Sequence, residues 1–317
     1  MIGRHHARLL QTMPDVQFAG AVDPAGDRFG ATPAGSVFGS VDELLAAGAP
    51  DFAVVAVPTD EHLPVVRALA AAGVHVLIEK PLAATVDEAR ELIDIVAEAG
   101  VHAAVGHVER CNPSLVALRD KVSELGDVFL VRTERVGPFP DRVRDVGVVL
   151  DLATHDLDLV RWLGGAPVAS VAAQTKHQIR REHEDLVLVT GRLANDVAFN
   201  CVVDWVSPTK VRRTRVLGER GMLEADTLTA DLTLYRNGQV TSSWLAAQAL
   251  KGVSEGDATR FALERREPLL IELEAFCALL RGDAGAQVVT LAEGLETVEV
   301  ADAVLRSART GDTVRLP

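Results

Sequence analysis

The stretch Val74-His75-Val76-Leu77-Ile78-Glu79-Lys80-Pro81 begins as a short apolar run after Gly73 and ends in a charged corner closed by proline. A continuous apolar run of this length is typical of a strand buried on both faces of a parallel sheet. Proline fixes its own φ and disfavours the helical region for the residue before it, so we expect Lys80 to be extended at the strand's carboxyl end. Ligands bind at that edge of open α/β sheets. Lys80 is therefore a candidate proton-transfer group or substrate clamp; the alternative is an ordinary solvated loop lysine.

Strand and helix patterns alternate on both sides of this stretch. Strands are expected at 17–23, 51–57 and 101–106, and helices at the start of the chain, at 41–47, from 58–62 to about 72, and at 85–99. Thr85 and Glu88 have the spacing of a capping box, and Gly100 follows the last helical residue. The alternation predicts a doubly wound parallel sheet that ends near Asn112.

After residue 112 the pattern changes to strands joined by short polar turns. A helix is expected at 114–124, strands at 127–136, 171–179, 186–193, 197–206, 210–217 and 228–235, and closing helices at 268–281 and 291–309. Such strands favour a largely antiparallel sheet with one face open to solvent or a partner. We therefore predict a dinucleotide-binding domain at 1–112 and an α+β domain at 113–317.

Acidic residues outnumber basic ones, 45 to 32, which gives a formal net charge of −13. Nucleic-acid and membrane-surface binding need a basic patch, so the composition argues against both. No apolar run approaches transmembrane length, and no signal peptide is visible. The cysteines Cys111, Cys201 and Cys277 lack metal-ligand spacing and leave one unpaired in any disulfide scheme. We therefore expect a reducing, cytoplasmic location.

The chain opens with a helix pattern and no strand before it. The strand at 17–23 ends in Asp23, about 20 residues after Gly3, where the acid of a dinucleotide-binding βαβ unit holds the ribose hydroxyls. The first strand and the Gly-x-Gly turn of such a unit are absent from the sequence, with Gly3 standing as the third glycine. Loss of a central strand would expose the edges of its neighbours. We therefore expect the true start to lie upstream of Met1.

A second candidate group lies in the stretch 145–162. Asp151 and His155 are four residues apart in a helical pattern and share one face, and Asp158 extends that row. Together with Lys80 they could form a proton-transfer site, in which an imidazole takes a hydroxyl proton, an acid orients it and an ammonium stabilises the alkoxide. The hydride would need a nicotinamide, since no side chain accepts one. The alternative is a helix-terminal acid and a core histidine.

These motifs occur in the order and spacing of the Gfo/Idh/MocA oxidoreductases, and the chain resembles that family from end to end. The resemblance rests on Gly3-Arg4-His5-His6, Asp23, Pro58-Thr59 with His62, Glu79-Lys80-Pro81, and Asp151 with His155. It implies a Rossmann domain, a C-terminal domain whose open sheet often forms the oligomer interface, and NAD(P)-linked oxidation or reduction of a sugar or cyclitol carbon. It also implies that Lys80, Asp151 and His155 line the substrate beside the nicotinamide.

The stretches 105–113 and 145–158 resemble the branch that contains UDP-N-acetylglucosamine 3-dehydrogenases, although Cys111 stands where a phenylalanine is expected. A nucleotide-sugar diphosphate would need cations, for which the candidates are Arg110, Arg132, Arg135, Arg142 and Arg144. The alternative is that most of these arginines balance an acidic surface.

The expected site residues form three sets. The catalytic set is Lys80, Asp151 and His155. The cofactor-binding set is Gly3, Arg4, His5, Asp23, Pro58, Thr59, His62, Glu79 and Lys80, and the substrate-binding set is Lys80, Arg110, Asn112, Arg144, Asp151 and His155. An acid at position 23 repels a 2′-phosphate, so NAD is expected rather than NADP.

Two other functions stay open on the sequence alone. The fold could serve as a non-catalytic sugar or dinucleotide sensor that contacts a partner protein. A metal site could form from Asp151, His155 and Asp158 with His177 or His183, although no metal is expected because nothing else has ligand spacing. The remaining histidines, His5, His6, His75 and His102, are interpreted as structural or exposed. The open sheet predicts a homodimer or homotetramer.

Overall fold

The computed structural model describes residues 2–139, 146–179, 182–238 and 255–317. They divide into two compact units, one of residues up to Val108 with Leu269–Glu299, and one of Glu109–Pro268 with Val300–Pro317. The expected division at residue 112 did not include this return of the chain to the first unit.

The first unit begins with alternating helices and parallel strands, as the sequence predicts. Its elements up to Gly106 are α1 (Gly3–Leu10), β1 (Ala21–Val22), β2 (Val37–Phe38), α2 (Val41–Ala47), β3 (Phe52–Val55), α3 (His62–Ala71), β4 (His75–Glu79), α4 (Val86–Ala99) and β5 (Ala103–Gly106). Strands β1 and β2 form one parallel pair, and β3, β4 and β5 form a separate three-stranded parallel sheet. The expected strand at 17–23 is shorter than predicted, since only Ala21 and Val22 pair.

Strand β4 is buried on both faces, which confirms the interpretation of its apolar run. Val76 and Ile78 pack in one core cluster with residues of α3 and α4. Leu77 points to the opposite face and packs in a second cluster with Leu9 of α1 and Phe276. The alternation follows from the two-residue period of a strand, and helices therefore cover both sides of the sheet.

Helix α4 has the predicted boundaries and caps. The Thr85 hydroxyl accepts from the Glu88 N–H, and the Glu88 carboxylate accepts from the Thr85 N–H, which completes the capping box. Gly100 adopts φ 65°, the left-handed conformation that ends a helix most cheaply at glycine.

The second unit is built on a large sheet. The remaining elements of the chain are α5 (Pro113–Lys121), β6 (Val128–Pro138), α6 (Thr154–Gly164), β7 (Val168–Lys176), β8 (Leu186–Leu193), β9 (Ala198–Asp204), β10 (Val206–Gly218), β11 (Gly221–Asp226), β12 (Asp231–Asn237), β13 (Glu255–Phe261), α7 (Pro268–Leu280), α8 (Leu291–Thr310) and β14 (Val314–Arg315). The strand order is β13-β12-β11-β10-β6-β9-β8-β7-β14, and neighbours are antiparallel except for β6 and β9.

The expected strand at 228–235 is wrong at its start. A turn occupies the residues between β11 and β12, where Ala230 has φ 53° and the Asp226 carboxylate accepts the Leu228 N–H. An acid that satisfies nearby backbone groups competes with strand pairing, so the apolar residues of this stretch divide between a turn and β12.

In the described residues, one face of the large sheet is buried in the core of the unit and the other is more exposed. Alternate residues such as Val187, Val189, Cys201 and Val203 are fully buried in the unit's core. Their strand neighbours, Leu188 among them, point to the opposite face. The predicted open sheet is therefore present. No helix among the described residues has the length and apolar character needed to cross a bilayer.

Candidate active site

Lys80 lies at the carboxyl end of β4, as predicted. The strand ends at Glu79, Lys80 is half-buried, and the Lys80–Pro81 peptide bond is cis. Strands β3 and β5 flank β4 in parallel, so their carboxyl ends share its edge. This is the edge at which open α/β sheets bind ligands.

Glu79 is a buried link between this corner and helix α1. Its Oε1 lies 2.7 Å from Nε2 of His6, and its Oε2 accepts the backbone N–H of Lys80 at 3.2 Å. His6 is 2% exposed and Glu79 8%. Glu79 therefore links α1 to the Lys80 corner, in addition to the cofactor-binding role that the sequence predicts for it.

Three more expected cofactor residues follow β3. Pro58 precedes a short 3₁₀ turn, Thr59–Glu61, which leads directly into α3. His62 is 1% exposed, and its ring nitrogens lie 3.1 Å from the Leu82 carbonyl and 3.2 Å from the Val57 carbonyl. Burial lowers the pKa of His62 below its ordinary value, although both carbonyls oppose the shift. A neutral imidazole has one N–H and can donate to only one of these two carbonyls. His62 is therefore a buried side chain between the loop after β3 and the corner after β4, and its cofactor-binding role stays a prediction.

The loop after β1 fits the ribose end of a dinucleotide. Asp23 follows the strand, its Oδ1 accepts the Ala25 N–H at 2.8 Å, and its Oδ2 lies 3.8 Å from Arg28. Arg4 and Arg28 both lie over the ring of Phe29, with guanidinium carbons 5.3 Å and 6.0 Å from its centroid. The exposed Asp23 carboxylate remains available to sugar hydroxyls.

Gly3, at the start of α1, lies next to the end of strand β3. A Cβ added to Gly3 would lie 3.5 Å from the Ala56 side chain, which is ordinary contact between helix and strand. The first turn of α1 carries no acid and includes Arg4, while His5 is exposed beside it. An anionic group is favoured at such a helix terminus, so these residues fit a dinucleotide phosphate.

In the second unit, Asp151 and His155 lie at a change of helix type. Residues Val149–Ala153 form a π-helical turn, and α6 continues as an α-helix from Thr154. Single π-helical turns within helices occur frequently at functional sites. Asp151 and His155 are half-buried on consecutive turns, whereas their neighbours Ala153 and Thr154 are buried.

Two other acids of α6 are held by buried arginines. Arg110 donates to Asp158 through Nε at 2.8 Å and Nη2 at 2.6 Å. Arg135 donates to Asp156 at 2.7 Å and to Glu109 at 2.8 Å. Burial works against ionisation of both acids that Arg135 holds. The pKa of Asp156 is raised by burial, while the charge of Arg135 outweighs burial and lowers the pKa of Glu109.

Two of the expected substrate ligands, Arg110 and Asn112, have partners within the chain. Arg110 is ion-paired with Asp158, and its guanidinium carbon lies 5.7 Å from the ring centroid of Trp162. Asn112 is 8% exposed, its Oδ1 accepts from Ser114, and its Nδ2 donates to the Thr227 carbonyl. Arg132 is exposed on β6, and Arg142 and Arg144 lie outside the described residues.

The metal alternative does not assemble in the part of the chain that is described. Asp158 is occupied by Arg110, and Asp151, His155, His177 and His183 do not share a group of ligand atoms within 4.8 Å. The group that does satisfy this spacing is His6, Glu79 and Glu272, all buried. The sequence predicts that His6 is structural or exposed, and it does not single out Glu272. The one signal that could have found Glu272 is an acid on the otherwise apolar face of α7.

Comparison with known proteins identifies the class of this fold and site. Residues 1–107 match the family model described as an oxidoreductase family with an NAD-binding Rossmann fold, and residues 118–224 match the GFO/IDH/MocA C-terminal domain. The chain belongs to the Gfo/Idh/MocA oxidoreductases, which confirms the resemblance deduced from the motifs.

Three relatives show how far the similarity extends. A UDP-N-acetylglucosamine 3-dehydrogenase from Acidithiobacillus ferrooxidans is 31% identical over 87% of this chain and 84% of its own. Its crystal structure superimposes with a TM-score of 0.81 at 28% identity, over 97% of this chain and 94% of that one. A myo-inositol dehydrogenase from Streptomyces leeuwenhoekii is 36% identical over 61% of this chain and 63% of its own. GenD2 from gentamicin A biosynthesis, in complex with NAD, has a TM-score of 0.80 at 26% identity over 100% of this chain and 94% of that one. None of these relatives supports the sensor alternative.

Proposed function

We propose that this protein is an NAD-linked dehydrogenase or reductase that acts on a hydroxyl or ketone carbon of a sugar or nucleotide sugar. The observation that carries the proposal is the Glu79-Lys80-Pro81 corner at the carboxyl edge of a sheet in a family of NAD-binding oxidoreductases. The relative from Acidithiobacillus ferrooxidans, whose name gives a nucleotide sugar as substrate, supports that substrate class.

Each proposed catalytic side chain suits one part of the chemistry. His155 accepts the proton of the substrate hydroxyl in the oxidation direction. Lys80 stabilises the developing alkoxide and can relay its proton, and Asp151 orients the substrate or the imidazole. Lys80 and His155 could exchange these roles. The nicotinamide of a bound NAD supplies the hydride acceptor.

NAD is proposed over NADP because of Asp23. Its exposed carboxylate can accept hydrogen bonds from ribose hydroxyls and would repel a 2′-phosphate. Arg4, Gly3 and His5 at the start of α1 are proposed neighbours of the pyrophosphate, and Pro58 and Thr59 of the nicotinamide half. The proposed substrate-binding residues are Lys80, Asp151, His155 and Arg144.

A homo-oligomer through the open sheet is also proposed. On that face Leu130, Leu217, Met222 and Tyr235 form a row across β6, β10, β11 and β12. Leu188 and Tyr235 are 40% and 39% exposed, unusually open for large apolar side chains on one sheet. A second copy of the chain would cover them. The location proposed is the cytoplasm, which is supported by three buried cysteines that lie outside any disulfide.

Reduction of NAD followed at 340 nm tests the proposed activity. The panel contains UDP-N-acetylglucosamine and other UDP-sugars, free aldoses and inositols, each with NAD and with NADP. We expect turnover with one class of sugar and a preference for NAD. A chain that binds NAD tightly but reduces it with no member of the panel, and oxidises NADH with none of the matching ketones, would contradict the proposal.

A further inference from the structure

Helix α7 carries an acid on its buried face. Leu269, Leu273 and Phe276 have helical spacing and pack with Leu9 of α1 and Leu77 of β4 in one core cluster. Glu272 occupies the same face and is 6% exposed. A carboxyl group in that position costs free energy unless its surroundings compensate it, so its neighbours matter.

Those neighbours are His6 and Glu79. Glu79 is two residues beyond Leu77 on β4, so its side chain points to the face covered by α1 and α7. One ligand atom from each of His6, Glu79 and Glu272 lies within 4.8 Å of the others. Three elements far apart in sequence therefore converge directly beneath the Lys80 corner.

The Glu79 carboxylate connects this cluster to the backbone of Lys80. It links Nε2 of His6 to the Lys80 amide, and the His6 tautomer with its proton on Nε2 follows from that hydrogen bond. Gly106, paired with Glu79 across β5, leaves the carboxylate its room, since a Cβ there would lie 3.4 Å from Oε2. The carboxylate is thus held from two directions.

The arrangement depends on the charge state of Glu272. Burial, reinforced by the charge of Glu79, raises the pKa of Glu272 well above its ordinary value. Two enclosed carboxylates this close do not both ionise readily. Glu79 contacts Nε2 of His6 through Oε1 and accepts the Lys80 N–H through Oε2, whereas Oε2 of Glu272 has no hydrogen-bond partner among the described residues. The raised pKa favours the neutral form of Glu272, and His6 and Glu79 share its cluster in the described part of the chain.

We propose that His6 and Glu272 are positioning residues for the reaction at Lys80, acting through Glu79. His6 holds the Glu79 carboxylate by Nε2, and Glu79 in turn holds the backbone of Lys80. Glu272 gives Glu79 an uncharged neighbour; its ionisation would repel the carboxylate from both donors. The inference rests on the proposed function, in which Lys80 stabilises the alkoxide.

Two substitutions of His6 separate positioning from packing. Glutamine places an amide N–H close to the position of Nε2, and asparagine places one close to Nδ1. We expect H6N to lower kcat about 10- to 100-fold with a smaller change in NAD affinity, as a displaced catalytic group would, and H6Q to recover most of that loss. Equal losses in H6N and H6Q, or none in either, would overturn the role of His6.

The pH dependence of kcat tests the role of Glu272. E272Q is uncharged at every pH, so we expect it to retain a larger share of its neutral-pH kcat than the wild-type chain does as the pH is raised. The control is E274Q on the same helix, which should keep the wild-type profile. An E272Q profile that matches wild type would overturn the role of Glu272.

A third experiment needs no substrate, so its result tests the positioning role even if the proposed activity is not found. Hydrogen exchange of the peptide that contains the Lys80 amide should be faster in H6N than in H6Q and wild type. Equal exchange in all three chains would overturn the link. Stabilisation of wild type, but not of E272Q, by Zn²⁺ at equimolar concentration would also overturn it, since the cluster would then be a metal site.

Discussion

Arg110 and Asp158 form a two-point ion pair, with Nε to Oδ2 at 2.8 Å and Nη2 to Oδ1 at 2.6 Å, that joins the turn before α5 to helix α6. The two side chains are 10% and 1% exposed. Nε and Nη2 of Arg110 are therefore committed to Asp158 inside the second unit, so a substrate diphosphate would compete with this carboxylate for them.

Removal of one partner of this pair should destabilise the protein strongly. D158A leaves a buried, uncompensated arginine, for which the expected loss in the free energy of unfolding is about 3 to 5 kcal/mol. Urea denaturation measures it. The control is E91A, which removes the exposed partner of Arg67 and should cost less than about 1 kcal/mol. A loss below about 1 kcal/mol in D158A would show that the pair is not closed in solution.

The sequence predicted features that depend on neighbouring residues. An apolar run followed by proline was enough to place Lys80 at the end of β4, and Thr85 with Glu88 was enough to start α4. The internal partners of Arg110 and Asn112 were not predicted because they lie far along the chain, at Asp158 and Thr227. No local pattern reports such partners.

The buried cluster under the corner shows the same limit. Glu272 belongs to a helix that returns to the first unit after β13, before β14 completes the large sheet. Its proximity to His6 and Glu79 is a property of the tertiary fold. What the sequence does contain is an acid within an apolar helical stripe, a local conflict of the kind that marks functional or strained positions.

The buried His62 should make stability depend on pH. Burial lowers the pKa of His62 from its ordinary value of 6.5, so the unfolded chain binds more protons than the folded one as the pH falls through that value. Stability is then lost as the pH decreases. Between pH 7.5 and 5.5 this residue should contribute a loss of at most about 1.4 kcal/mol.

Urea denaturation of H62Q and wild type at both pH values measures this contribution. The wild-type chain should lose more stability than H62Q between pH 7.5 and 5.5. H177Q, which changes an exposed histidine, should behave like wild type. An equal pH dependence in wild type and H62Q would mean that the imidazole ionises freely in the folded protein.

Cofactor preference should depend on Asp23. D23S removes the carboxylate that excludes a 2′-phosphate while Arg28 stays in the loop. We expect the ratio of kcat/KM for NAD to that for NADP to fall at least about tenfold, equivalent to about 1.4 kcal/mol. Initial rates with both cofactors measure the ratio, and D42S, an exposed acid at the start of α2, is the control. An unchanged ratio would remove Asp23 from the cofactor site.

The open face of the large sheet should hold copies of the chain together. L188R places a charge among the exposed apolar side chains of that face, close to Val202 on the paired strand. We expect light scattering to show a shift from oligomer to monomer, or a dissociation constant raised at least tenfold. V116R adds the same charge at an exposed position of helix α5, away from the row of apolar side chains on the open face, and should leave the mass unchanged. A monomeric wild-type chain would contradict the proposal, as would an L188R oligomer of wild-type stability.

The catalytic proposal predicts different kinetic losses for its two proton-handling residues. K80M removes the ammonium that stabilises the alkoxide, and H155Q removes the group proposed to take the proton. Each should lower kcat about 10²- to 10⁴-fold, the range of general acid–base catalysis, without abolishing NAD binding. The roles separate in the pH dependence of kcat/KM for sugar oxidation, because loss of a base removes the decline of the rate at low pH. If H155Q lacks that decline and K80M keeps it, His155 is the base; the opposite result exchanges the two roles. K80M and H155Q that both retain wild-type kcat would exclude these residues from the reaction.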